Sequence, residues 1–281
     1  MSESPIVGET PVFELEVIAT DVAFDIRVND LPVLRMPAGR VQTVFDVNPQ
    51  ILDGANTVSL TVRPRTRGRD FSEHASVKVD VRRRPHPEAD LAESIGTLVF
   101  SGYGVNAVTG FGESVSARGG GPIEVERFGA RAKLGFVVES PFGDWEYTKC
   151  QKLVPTEALR AELLDEMKRI HALLARRDGA ALQALCELQA ADYQRAYYLP
   201  TIQDARRFLG IDQLLADATI EIEPFPDSIL DVEILGEGRL VQLVDSEGKG
   251  CLRLRATDNP AMSGRFTCIL CKTDRGYQIA R

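Results

Sequence analysis

The chain has 281 residues, 44% of them hydrophobic and 26% charged, with a formal net charge of -8 and a sequence pI near 5.1. That length most often means two domains, each with its own core. The acidic balance argues against binding a phosphate backbone as a main task, and no apolar run of about 18 residues suited to a membrane span occurs. Met1 to Thr10 lack the basic start and apolar centre of a signal peptide. Five cysteines (Cys150, Cys186, Cys251, Cys268, Cys271) lie in apolar stretches. Few and odd in number, they fit reduced, buried thiols and a cytoplasmic location.

Residues 1–84 read as an antiparallel β-sandwich. Val12, Leu15 and Val17 fall in one strand. Phe24, Ile26 and Val28 alternate with Asp25 and Arg27 in the next. Asn29-Asp30 gives a turn, Val41 to Val47 resumes, and Asp53 to Asn56 turns again. Val58, Leu60 and Val62, then Val77, Val79 and Val81, complete the alternation. Short strands separated by turn residues are the pattern of a sandwich. Arg82-Arg83-Arg84-Pro85-His86-Pro87 then disfavours regular structure, and residues 85–94 read as a linker.

Residues 95–281 read as an α+β domain. A strand at Ile95 to Phe100 precedes a loop at 102–121 that holds seven glycines. Glycine lets backbone N–H groups approach a phosphate, but the Gly-Lys-Ser/Thr ending of a phosphate loop is missing, so a surface loop is expected. Three helices are expected between about 156 and 216. Thr156 caps the stripe Leu159, Leu163, Met167, Ile170 and Leu174; Asp178 caps the second helix; Thr201 to Asp204 form a capping box for the third. An antiparallel meander over 219–281 closes the chain.

Between Arg207 and Arg239 there is no lysine or arginine but there are eight carboxylates, and without them the chain would hold 33 acidic and 33 basic residues. Ile220 and Ile222 alternate with Glu221 and Glu223, and Val232 and Ile234 with Asp231 and Glu233. If these two strands pair, one face gathers four carboxylates, with Asp227 on the loop between. Like charges opposed across strands are mildly destabilising, so such a face points to a cationic partner. Tyr197 and Tyr198, at a helix end, are candidate anchors for the same partner.

Cys268-Ile269-Leu270-Cys271 has half a zinc knuckle's spacing without a second pair, so neither a metal nor a cofactor is expected. His171 stands beside the first helix's apolar stripe without a nucleophile elbow near it, and no catalytic residues are assigned.

Ala23-Phe24-Asp25-Ile26-Arg27-Val28-Asn29-Asp30-Leu31-Pro32-Val33, followed by Leu52-Asp53-Gly54-Ala55-Asn56-Thr57-Val58, resembles the N-terminal sandwich of immunity proteins found beside bacterial type VI secretion toxins. Leu173-Leu174-Ala175-Arg176-Arg177-Asp178-Gly179-Ala180-Ala181-Leu182 and the later strands are similar to NTF2-like α+β domains, in which helices pack on a curved antiparallel sheet. The first resemblance implies a non-enzymatic protein that binds a cognate toxin and occludes its active surface. The acidic residues and tyrosines above are the contacts to test, and the expected partner is a protein with a basic surface, not nucleic acid or membrane. The second resemblance implies the competing reading, a small-molecule-binding protein or enzyme with a pocket in the cone that holds convergent carboxylates or His171.

Overall fold

A computed structural model describes residues 10–66, 71–102, 118–119, 124–126, 129–226, 230–258 and 264–281. The chain is α+β and divides into two compact units, Met1–Asp144 and Trp145–Arg281.

The first unit is organised by β1 (Val12–Val28). Phe13, Leu15, Val17 and Ala19 are buried in its first half, and Val22, Phe24, Ile26 and Val28 in its second. The buried parity switches from odd to even at Asp21, which has φ 53 and sits at a register shift against β2. An extra residue in a strand flips every later side chain. Here the flip and the bend of the bulge together keep both halves facing one core. The sequence pattern predicts two strands over this stretch; they are one strand with a corner.

β2 (Leu31–Asp46) pairs along β1 after a turn at Asn29 and Asp30, with φ of 49 and 69. Two successive left-handed residues match the twist of a tight hairpin, and Asn and Asp tolerate that conformation best after glycine. The opposite edge of β1 is shared: its first half pairs with β4 (Ser76–Arg84), its second with β3 (Gly54–Pro64). β4 pairs with β5 (Glu93–Ser101), and β3 with β8 (Gly129–Val138). The short β6 (Arg118–Gly119) and β7 (Glu124–Glu126) also pair with β8.

All eight strands therefore belong to one sheet, nearly closed and barrel-like, where the alternation predicts a separate sandwich. β5 and β8 approach so closely that a Cβ on Gly96 would lie 2.9 Å from a Leu134 methyl. Only the absence of a side chain at 96 admits Leu134 there.

The expected boundary is corrected by this pairing. The stretch 85–94 is no linker, because β4 and β5 are hydrogen-bonded hairpin neighbours and the Pro-rich segment is the connection between them. Prolines mark a turn as well as a linker, and the pattern does not separate the two. The strand expected near 95–100 does form, but in the first unit, as does β8. Most of the glycine-rich stretch 102–121 lies outside the described residues. Gly102 itself allows a close crossing, since a Cβ there would fall 2.1 Å from the Ser72 carbonyl oxygen.

In the second unit the helices are α1 (Glu157–Ala175), α2 (Gly179–Leu185), α3 (Glu187–Ala196), α4 (Ile202–Phe208) and α5 (Ile211–Ala216). The three expected N-caps are present. Thr156 accepts from the Leu159 N–H (3.1 Å), Asp178 from Ala181 (3.2 Å) and Thr201 from Asp204 (3.2 Å). The expected second and third helices each break in two, at Cys186 and at Gly210; Gly210 takes a left-handed φ of 69.

Among the described residues, seven short strands complete the unit. β9 (Ile220–Ile222), β12 (Arg253–Ala256) and β13 (Gly264–Arg265) form one sheet; β10 (Asp231–Leu235), β11 (Leu240–Val244), β14 (Leu270–Thr273) and β15 (Gly276–Ile279) form another. The core joins the α1 stripe to α2, β11, β14 and β15 through Leu163, Ile170, Leu182, Val241, Leu270 and Ile279. Each such fully buried aliphatic side chain contributes about 1.5–3 kcal/mol. The single curved sheet implied by the NTF2-like resemblance is replaced by these two sheets.

Candidate functional site

α3 and α4 form a helical hairpin that carries an aromatic surface. Ala196 and Ala205 are fully buried; side chains this small let two helices approach closely. Arg206 of α4 is ion-paired with Glu187 at the start of α3. The connection is set by Tyr198, left-handed at φ 54, and by the Leu199 N–H donated to the Gln194 carbonyl (2.9 Å). Pro200 and the cap Thr201 then start α4.

Tyr193 and Tyr197 are one helical turn apart, so their rings meet edge to face at 5.4 Å. Phe208, at the end of α4, lies 4.6 Å from the Tyr197 ring and 6.1 Å from Tyr193. The Phe208 side chain is 52% exposed. An exposed phenylalanine backed by two tyrosines offers a large, rigid area with polar rims, the composition of an interface anchor.

A buried charge cluster holds α3 from beneath. Asp192, fully buried, accepts from the Glu146 N–H (2.8 Å), from Arg195 (2.7 Å) and from Arg281 (2.7 Å). The two guanidinium groups lie over the Trp145 ring at 5.4 and 5.5 Å, and Arg281 also covers Tyr147 at 4.8 Å. Burial pushes the Tyr147 hydroxyl above its usual pKa, against the pull of Arg281. Unpaired, a buried aspartate would be costly; with three donors it fixes the helix that presents Tyr193 and Tyr197.

The expected acidic face does not assemble, because β9 and β10 belong to different sheets. β9 is three residues long and is followed by Pro224 and Pro226, which have no N–H to extend a ladder. β10 instead forms a local hairpin with β11 across Gly236-Glu237-Gly238. Glu221 is exposed and ion-paired with Arg255 directly across from it. Glu233 accepts from Gln242, its cross-strand neighbour, at 2.6 Å. Asp231 starts β10 and is exposed, Glu223 is half-buried, and Asp227 lies outside the described residues. Of the expected contacts, therefore, only Tyr197 sits in a clustered site, and Tyr198 shapes the turn beside it.

His171 is tied into the fold: its Nε2 is 2.8 Å from the Glu223 carbonyl oxygen and its ring meets Phe225 at 5.8 Å. A half-open cavity of about 250 Å³ is lined by Cys186, Gln189, Ile211, Arg265, Phe266 and Thr267 among others. Among the described residues neither a carboxylate nor His171 lines it, unlike the cone of the competing reading. Its arginine is already engaged, 2.8 Å from Asp245.

All five cysteines are buried and free. Burial pushes the thiols of Cys186 to about 12 and Cys251 to about 11. Among the described residues no group of three or more metal-ligating side chains occurs, and no helix is long and apolar enough to cross a membrane.

Phe208 falls on the third helix expected from the capping box at Thr201, and no local pattern marks it as exposed; α4 ends at Phe208, just before the left-handed Gly210. Asp192 and Arg281 carried no signal, since an aspartate inside a helix and an arginine after a strand are usually solvated. Comparison of the chain with protein-family models, with curated proteins and with solved structures finds no match in any of the three.

Proposed function

We propose that this chain acts by binding another protein, as an immunity-type protein that neutralises a secreted bacterial toxin by covering its active surface. The observation that carries the reading is the Tyr193–Tyr197–Phe208 cluster, with Phe208 half-exposed on a helix fixed by the Asp192 cluster. Interfaces draw most of their affinity from a few such aromatic anchors.

The acidic residues keep a narrower role. Glu221 and Glu233 have partners within the chain, so Asp231 and Glu223 are the remaining candidates for long-range attraction. With a net charge of -8, the chain would draw a basic toxin surface faster at low ionic strength. Steering of this kind affects the association rate, whereas the aromatic anchor sets dissociation.

The test is calorimetric titration of the purified chain with the product of the gene adjacent to its own. A saturable complex of fixed stoichiometry that abolishes the toxin's activity supports the proposal. Absence of heat and of co-elution at micromolar concentrations, with a correctly folded toxin, contradicts it. A small-molecule reading is favoured only by the 250 Å³ cavity, which is below the range of about 300–1,000 Å³ common for ligand sites.

A further inference from the structure

We infer that the open edge of β2 is a self-association surface, on which a second copy of this chain pairs antiparallel over Arg40 to Asp46. The inference is independent of the toxin partner proposed above.

Among the described residues β1 is the only strand hydrogen-bonded to β2. The other edge of this 16-residue strand presents backbone groups without a strand to receive them, a template for another chain. Its first half is guarded. Pro32 and Pro37 stand there, and Gly39 meets Val22 where the register with β1 shifts. From Arg40 to Asp46 there is neither proline nor glycine, and the register against Thr20 to Glu14 runs without a break.

One hydrogen bond fixes the direction of every backbone group in this stretch. The Val47 N–H donates at 2.8 Å to the Phe13 carbonyl, and these residues continue the register directly opposite one another. In an antiparallel ladder such pairs alternate with pairs that exchange no hydrogen bond. Phe45, Thr43 and Val41 therefore also face β1. Arg40, Gln42, Val44 and Asp46 turn their N–H and C=O groups to the open edge.

Opposed to itself about Thr43, the stretch is self-complementary. Arg40 of one copy lies opposite Asp46 of the other, Val41 opposite Phe45, Gln42 opposite Val44, and Thr43 opposite itself. Opposite charges, an aromatic against a β-branched residue, and paired threonines are favourable cross-strand combinations. The Arg40–Asp46 and Gln42–Val44 pairs use the outward N–H and C=O groups, and a two-fold axis repeats each of them. Slipping by two residues sets Arg40 against Val44 or Asn48 and loses both ion pairs. Slipping by one turns the apolar faces to opposite sides.

Burial marks the same edge. Leu15, Val17 and Ala19 are fully buried, yet Phe45, Thr43 and Val41 beside them in β2 are only half-buried. On the outer face Val44 is 49% exposed and Ile18 39%. A second strand at this edge would cover Val41 and Phe45 on one face and Val44 on the other.

The experiment is sedimentation equilibrium of the full chain from micromolar to millimolar concentration, where a reversible monomer–dimer equilibrium is expected. Gln42→Pro removes an outward N–H and leaves the ladder to β1 intact. It should keep its circular dichroism and melting temperature while dimerising at least about tenfold more weakly. Arg40→Glu and Asp46→Lys should each weaken the dimer alone, because like charges then face each other. An equimolar mixture of those two chains should restore it, since both cross-strand pairs are again opposite in charge. A wild-type chain that stays monomeric throughout, or a dimer that Gln42→Pro leaves unchanged, would overturn the inference. So would a monomeric chain whose capture of a toxin is lost in Gln42→Pro, which would give the edge to a strand of that toxin.

Discussion

In the first unit a single 17-residue strand, β1, hydrogen-bonds to three others, whereas no described strand of the second unit exceeds five residues. The long ladder satisfies its own backbone groups and needs from each side chain only the correct face. The short elements of the second unit leave many ends, and these are held by individual polar groups. Arg177 donates to the Leu215, Asp217 and Ile220 carbonyls, so one guanidinium closes α5 and starts β9. Asp245 accepts the Glu247 and Lys249 N–H groups and meets Arg265 at 2.8 Å. Asp192 joins the Trp145 segment, α3 and Arg281. One unit is specified by repetition, the other by particular residues.

Changes at four places test that contrast. The largest effect is expected for Asp192→Ala, which removes one side of a buried charge cluster and strands Arg281 among rings. It should cost about 3–5 kcal/mol in urea unfolding. If the cost stays below about 1 kcal/mol, the cluster is not what fixes the second unit. Leu134→Ala in the first unit should cost about 3 kcal/mol through lost burial and a cavity facing Gly96. Its effect comes from apolar volume, so Leu134→Met should restore most of it.

Asp245→Asn should cost about 1.5 kcal/mol at neutral pH, through weakened charge-assisted hydrogen bonds. Burial works against the charged form of Asp245, but the two backbone N–H groups and Arg265 outweigh it and hold the pKa below 3.8. A carboxylate depressed in the folded state stabilises above its unfolded pKa, and that stability is lost as pH falls through the folded value. The gap in melting temperature between wild type and Asp245→Asn should therefore be constant from pH 7 to about 5 and shrink as the pH falls below the usual carboxylate range. A gap that widens with acidity contradicts the assignment. The smallest effect belongs to the exposed Glu221–Arg255 pair, for which a double-mutant cycle should give no coupling beyond experimental error.

The same contrast decides what could be read from the sequence. Alternation at Val58, Leu60 and Val62, or at Val77, Val79 and Val81, identifies strands because a half-buried strand has only two faces. The helix caps at Thr156, Asp178 and Thr201 were legible because each rule acts over three residues. Pairing is not local. Pro85 and Pro87 mark a break, yet only the partnership of Arg82 with Ser94 shows that the chain turns back into one sheet. Glu221 and Asp231 likewise have the right alternation, but Arg255 and Val244 are their cross-strand neighbours. Of the candidate site, Tyr197 was visible as an aromatic at a helix end; Phe208 was not, because its exposure follows from the helix break at Gly210.

Under the proposed function, the aromatic surface on α3 and α4 anchors a protein partner. Titration of the proposed partner with wild type and with Phe208→Ala is the direct test, with matched melting temperatures as the control for folding. The expected result is at least about a tenfold loss of affinity, or about 1.4 kcal/mol, carried mainly by faster dissociation. Wild-type affinity and dissociation in the Phe208→Ala chain would contradict it.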